Sequence, residues 1–252
     1  MTDIPYFTDS GGEGIPLVLL HGFAATGACW KPIAPQLAHK ARVLVFDLPG
    51  HGKSAHLPVG GGTRAMADAV LATLSSLGVN KAHFCGHSMG GAVSCLAALA
   101  KPQCVASLTL LAPGAFGREI NSRLLRRLAA ASSRDAVLPL LEQFYGWATP
   151  VPEAAIDAVV ADRQRAGANE ILAAIAERIL DGEHQKVLPF ERIAELGIPV
   201  KVIWGTQDRV TPTRQAHKLP GIFGTHVFEN TGHALIDEIP EAIIRLIEEN
   251  MR

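Results

Sequence analysis

Ser88 sits in Gly86-His87-Ser88-Met89-Gly90, after the apolar residues 82–85 and before a stretch of small residues, 92–100. A serine hydroxyl is a weak nucleophile at neutral pH. It attacks a carbonyl only when a base takes its proton and an acid orients that base. The five-residue pattern alone is common, but between a strand and a helix it predicts a nucleophile elbow, a sharp turn that exposes the hydroxyl. Gly86 and Gly90 let neighbouring backbone approach closely, and the helix that follows turns its free N–H groups toward the serine.

Among ten histidines, His233 is the candidate base. It lies in Asn230-Thr231-Gly232-His233-Ala234, after the last strand-like run, and completes a chain order of serine, acid, histidine. His87 adjoins Ser88 but cannot turn back onto it within a tight turn. His21 and His51, flanked by glycines, are expected to brace loop backbone. The acid belongs on a loop at a strand end between Ser88 and His233, which Asp208 in Trp204-Gly205-Thr206-Gln207-Asp208 satisfies. The rival loop, Ala112-Pro113-Gly114-Ala115, holds no carboxylate. Asp47 precedes the serine and reads as a loop brace; Asp237 reads as a helix-start or surface residue.

An attacked carbonyl develops charge on oxygen, which calls for preorganised donors. The backbone N–H of Met89 is one candidate and that of Phe23, in His21-Gly22-Phe23, the other. Their side chains stay free to line an acyl pocket, although simple core packing also accounts for Phe23.

These residues need a scaffold. Near-continuous apolar runs at 15–20, 42–46, 105–111 and 199–204 read as strands buried on both faces of a parallel sheet, with helical patterns between them. Thr63 is placed to cap a helix that runs to Leu77 and stops at Gly78. A strand at 225–229 and a helix from Pro240 close the chain. The residues before Gly14 leave room for one brief strand at most. Between about 118 and 195 no strand run appears, and Leu124, Leu128, Leu141, Ile156, Val160, Leu172, Ile175 and Ile179 recur at helical spacing. Residues 1–117 and 196–252 are therefore expected to form the sheet domain, with 118–195 an inserted helical cap; extra helices packed on the sheet are the alternative.

Bulk properties narrow the partners. The 252 residues are 48% apolar and 19% charged with a net charge of −1, an ordinary globular balance without a basic run for nucleic acid. The opening residues lack a signal-peptide pattern, and no apolar stretch approaches the roughly 18 residues that span a bilayer. Cys29, Cys85, Cys95 and Cys104 form no C-x-x-C pair and no zinc spacing, which suits a reducing cytoplasm. No metal site is expected.

Five segments in order resemble the α/β-hydrolase family over essentially the whole chain: His21-Gly22-Phe23 with Trp30, Asp47-Leu48-Pro49-Gly50-His51-Gly52-Lys53-Ser54, the elbow, Trp204-Gly205-Thr206-Gln207-Asp208, and Gly232-His233. The resemblance implies an eight-stranded sheet, a Ser88–Asp208–His233 triad and hydrolysis of an ester or related acyl bond without metal or organic cofactor. The stretch Leu111-Ala112-Pro113-Gly114-Ala115-Phe116-Gly117-Arg118-Glu119-Ile120-Asn121 is similar to the hydrolase-like domain of the dihydrolipoamide acetyltransferase component of acetoin dehydrogenase. Those proteins carry a lipoyl domain ahead of that part, for which this sequence leaves no room. Ring-cleavage C–C hydrolases and enol-lactonases are similar in a general way. Haloalkane dehalogenases and epoxide hydrolases use an aspartate where this chain has Ser88. Perhydrolysis, which needs the same triad, stays open as a side activity.

A cap over the site would bring Phe116, Phe144, Tyr145 and Trp147 near it, to form an apolar pocket with Phe23 or to pin the cap to the sheet. Arg118, Arg163 and Arg165 are expected to face solvent, with attraction of a substrate carboxylate as the alternative. The leading expectation is a serine esterase for small or medium carboxylic esters. Enol-lactonase, thioesterase and C–C bond hydrolase chemistry fit the same triad. A non-catalytic or acyl-carrying module of an acetoin-dehydrogenase-like complex is the alternative from another class. The expected partner is a small molecule, with neither nucleic acid nor membrane.

Overall fold

The structure is a computed structural model and describes residues 4–252. The first half of the chain runs β1 (Phe7–Asp9), β2 (Leu17–Leu20), α1 (Ala34–Leu37), β3 (Val43–Phe46), α2 (Gly62–Ser76), β4 (Ala82–His87), α3 (Met89–Ala100) and β5 (Val105–Leu111). Next come α4 (Ser122–Ala130), α5 (Arg134–Leu141), α6 (Glu153–Asp162), α7 (Ala168–Ile179), the short strands β6 (Leu180–Asp181) and β7 (His184–Gln185), and α8 (Phe190–Ala194). The chain closes with β8 (Val200–Gly205), β9 (Gly224–Phe228), α9 (Leu235–Glu238) and α10 (Pro240–Asn250).

Seven strands form one sheet in the order β1-β3-β2-β4-β5-β8-β9. Only β1 is antiparallel, pairing Phe7 with Phe46 and Asp9 with Leu44. The sheet has one strand fewer than the resemblance implies, and the brief strand that the N-terminal residues had room for is its antiparallel edge. Strands β2 and β4 pair in parallel from Leu17–His83 to Leu20–Gly86, so the ends of both arrive together at the elbow. Every residue of β2 is buried, as a continuous apolar run requires when helices cover both faces. Trp30, Trp204, Phe46 and Phe84 are the largest wholly buried side chains of this core.

Two local expectations change. Helix α2 begins at Gly62 with Gly61 as its N-cap, so Thr63 lies inside the first turn and caps nothing. The segment between β5 and β8 is mainly helical, but it also contains the β6–β7 hairpin, which pairs Leu180 with Gln185 and bridges Glu119 to His184. Two-residue strands give too short an apolar alternation to be read from sequence. No described helix is long and apolar enough to cross a membrane.

Close approach at the elbow explains one glycine. A Cβ on Gly90 would strike the backbone carbonyl of Leu20, which belongs to a central strand and cannot retreat. Gly78 differs: its φ is +70°, but a Cβ there meets open space. Gly90→Ala is therefore expected to cost about 3 kcal/mol or more, in the range of the severe single substitutions. Gly78→Ala should cost only the left-handed penalty of about 1–2 kcal/mol. Urea unfolding midpoints of the two variants check this order; equal losses would contradict it.

Candidate active site

Ser88 occupies φ +52°, ψ −115°, between the last residue of β4 and the first of α3. A non-glycine residue there carries roughly 1–3 kcal/mol of strain, which the surroundings must hold in place. They do so through the backbone: Ser88 N–H donates to Leu111 O at 2.9 Å, and Ser88 O accepts from Gly91 N at 3.0 Å and Gly114 N at 2.9 Å. The strain is thus locked by the adjacent strand end and by the first turn of α3.

Asp208 and His233 meet although 25 residues separate them. His233 Nδ1 lies 2.7 Å from Asp208 Oδ2, both side chains wholly buried. Asp208 Oδ1 also accepts from the amides of Val210 at 2.8 Å and Thr211 at 2.9 Å. Its Oδ2 accepts from Trp204 Nε1 and from Thr211 Oγ1, each at 3.1 Å. A carboxylate with five donors withstands burial, because protein hydrogen bonds replace those of water. It accepts the Nδ1 proton and leaves Nε2 as the basic nitrogen. That Nε2 is buried and has no hydrogen-bond partner among the described residues. His233 is fixed from behind as well, since its N–H donates to Phe144 O at 2.6 Å.

The Gly22 loop touches the elbow: a Cβ on Gly22 would lie 3.1 Å from Ser88 Cβ. The N–H groups of Phe23 and Met89 donate to no other described residue. Two histidines hold this loop. His21 Nδ1 donates to Gly22 O at 2.7 Å, and its Nε2 accepts from Leu48 N at 2.9 Å. His51 Nε2 accepts from Ala24 N at 3.4 Å, with its ring 4.9 Å from that of His21. Asp47 accepts from the amides of Gly27 and Lys53, so it braces loops. His87 does not reach back to Ser88; its Nε2 donates to His233 O at 2.9 Å, and the two rings lie 4.8 Å apart. Burial drives the His87 ring down to about 3.

Ser88 and His233 open on one cavity of about 570 Å³, which Phe23, Met89, Phe144 and Tyr145 also line. Side chains from the segment between β5 and β8, among them Leu125, Leu141 and Val159, form its opposite wall. Two expected pocket residues are not there. Phe116 is buried beneath, with its ring 4.8 Å from Phe190 and 6.3 Å from Trp204. Trp147 is 76% exposed, and its backbone N–H donates to Gln207 Oε1. Arg163 also departs from expectation: its side chain is wholly buried beside Asp162 at 3.0 Å, and Arg165 pairs with the same carboxylate. Arg118 is exposed, as expected. Asp237 is an exposed residue in the first turn of α9, as expected, and it also lines the cavity and accepts from Tyr145 Oη at 2.6 Å. Its place on the cavity gave no sequence signal, because Tyr145 lies 92 residues away.

A strained serine at a strand-to-helix turn, with a buried aspartate–histidine pair beside it, defines a class. The model of the α/β-hydrolase fold matches residues 15–240, and the chain belongs to that family. It is 37% identical over 235 residues to the dihydrolipoyllysine-residue acetyltransferase component of the acetoin cleaving system of Pseudomonas putida. That match takes in 92% of this chain but only 62% of the relative's own length. A pimeloyl-[acyl-carrier protein] methyl ester esterase of Aliivibrio salmonicida is 30% identical, with 88% of this chain and 87% of that protein covered. Among solved structures, a mutant of the meta-cleavage product hydrolase CumD superposes with a TM-score of 0.84 at 22% identity, over 97% of this chain and 93% of that one. That likeness is one of fold. The relatives thus include esterases and related hydrolases.

Burial lowers the affinity of His21, His51 and His87 for a proton, whereas in the unfolded chain all three titrate near 6.5. Below pH 6.5 the unfolded state binds more protons, so stability is full above that pH and falls as the pH drops toward 3. His87→Gln should flatten this fall by about 1 kcal/mol per pH unit. Urea unfolding at pH 7.5, 6 and 5 measures it; an unchanged slope would count against a neutral buried His87.

Proposed function

We propose that this chain is a serine hydrolase that cleaves carboxylic esters of small or medium size through an acyl-enzyme. The observation that carries this reading is the 2.7 Å contact between buried Asp208 and His233, whose free Nε2 shares a cavity with strained Ser88. In this reading His233 takes the Ser88 proton as Oγ attacks the ester carbonyl. The N–H groups of Phe23 and Met89 hold the oxyanion, which is why these amides must have no internal partner. His233 then gives its proton to the departing alkoxide, and the alcohol leaves. Water, deprotonated by His233, attacks the acyl group and frees the acid with Ser88 restored. Asp208 keeps its charge throughout and stabilises the imidazolium.

Residues 118–195 act as a cap, with Phe144 and Tyr145 beside the base and an apolar wall above the serine. A partly enclosed, largely apolar cavity suits a small organic ester. The unpaired cysteines suit a reducing cytoplasm. The Aliivibrio salmonicida relative, named for a methyl ester, supports ester chemistry over its thioester, lactone and C–C variants. The likeness to the Pseudomonas putida component favours a second reading, an acyl-carrying or non-catalytic module of a larger assembly.

Hydrolysis of p-nitrophenyl acetate and butyrate and labelling by a fluorophosphonate test the two. Wild type is expected to turn over both esters and to be labelled at Ser88, and Ser88→Ala to lose both properties. Asp208→Asn should lower kcat by about 10⁴-fold, because the amide favours the wrong histidine tautomer. Full turnover by Ser88→Ala would sink the assignment; unlabelled, inactive wild-type protein would favour the second reading.

A further inference from the structure

The cavity wall is mostly apolar, with Asp162, Arg178 and Gln185 among its polar side chains, and one polar pair lies on the His233 side. There Tyr145 Oη donates to Asp237 Oδ2 at 2.6 Å, and both residues line the cavity. Their position follows from the backbone. Phe144 O accepts from His233 N at 2.6 Å and Ala234 N at 2.9 Å, so Tyr145 directly follows the residue that holds the base. Asp237 N in turn donates to Ala234 O at 3.0 Å, one turn beyond it. A histidine that protonates a leaving alkoxide must face it, so residues around His233 border the alcohol half of a bound ester.

The chemistry of the pair is one-sided. The phenol spends its only proton on Oδ2, which keeps Asp237 as an acceptor, and Oδ1 receives no donor from the described residues. Burial and the neighbouring carboxylate push the Tyr145 phenol up beyond its ordinary range, so it does not give up that proton. The pair therefore shows the cavity a negative charge and spare acceptor oxygens, and no spare donor. An alkyl chain laid there would strip water from these oxygens without replacing it, whereas an O–H or N–H group would restore the lost hydrogen bond. Asp237 keeps part of its surface open, which limits the discrimination to roughly tenfold rather than the far larger factors of sealed sites.

We propose, resting on the esterase reading above, that Tyr145 and Asp237 form a specificity subsite selecting esters whose alcohol half carries a hydrogen-bond donor, a hydroxyl or a protonated amine. The experiment compares kcat/KM for two pairs matched in shape: 2-hydroxyethyl against propyl butyrate, and 2-(dimethylamino)ethyl against 3-methylbutyl butyrate. Wild type is expected to favour the donor-bearing member of at least one pair by about tenfold. Asp237→Leu should bring both ratios to near one, while Asp237→Asn should keep a hydroxyl preference and lose an ammonium one. That contrast tells the two donor sources apart. Tyr145→Phe, which keeps the ring, should lower the ratios without loss of folding.

A pair that merely ties the cap to α9 would change all four esters alike when substituted. Wild-type ratios near one, or an Asp237→Leu variant that leaves them unaltered, would overturn the subsite while esters are still cleaved. Failure of wild type to cleave any of the four would overturn the esterase reading and the subsite with it. The wild-type comparison decides even if a variant does not fold.

Discussion

Burying a carboxylate is among the most expensive things a fold can do, and the arrangement around Ser88 depends on how that cost is met at Asp208. An isolated carboxylate taken out of water would lose many kilocalories or take up a proton. Asp208 is instead surrounded by two amides, an indole N–H, a hydroxyl and the His233 ring. Each donor comes from the β8 end, from the turn after it, or from the loop after β9. The carboxylate thus ties the two loops together, and the same contact sets the tautomer of His233.

From this pair the constraints run outward. His233 is held by the Phe144 carbonyl on one side and by the His87 ring on the other. Phe144 belongs to the segment between β5 and β8, so that segment and His233 are positioned as a unit. Arg209, next to Asp208 in the chain, donates to the carbonyls of Glu142 and Tyr145 and fastens the same segment again. Glu238 takes the amides of Gly146 and Gly232 on its two oxygens. A shift of the segment between β5 and β8 would therefore reach Asp208 and His233 through hydrogen bonds, without any intervening flexible linker.

The opposite side of the cavity rests on neutral histidines. His21 and His51 serve the Gly22 loop as hydrogen-bonding spacers, and desolvation keeps them uncharged. The strain at Ser88 is held by backbone bonds to β5 and α3, independent of any side chain in the cavity. The Tyr145–Asp237 pair is one of the polar features of a mostly apolar cavity wall.

Much of this was legible in the chain itself. Continuous apolar runs between helical patterns read as strands covered on both faces, and Gly86 and Gly90 mark a turn where a Cβ would strike backbone. The order of serine, aspartate and histidine at strand ends named Ser88, Asp208 and His233 as candidates, because each loop's position follows from the element before it. Other features were beyond sequence. Phe116, Phe144, Tyr145 and Trp147 look alike as aromatics in a helical stretch, yet one is buried under the cavity, two line it and one faces solvent. Arg163, outwardly a surface residue, is enclosed beside Asp162. Asp237 is the helix-start carboxylate it resembled, but only the fold brings Tyr145, 92 residues away, against it. Local chemistry dictates which residues can make a strand, a turn or a nucleophile. Which side chains then share one cavity is decided by the crossing of distant segments, and only the tertiary structure holds that information.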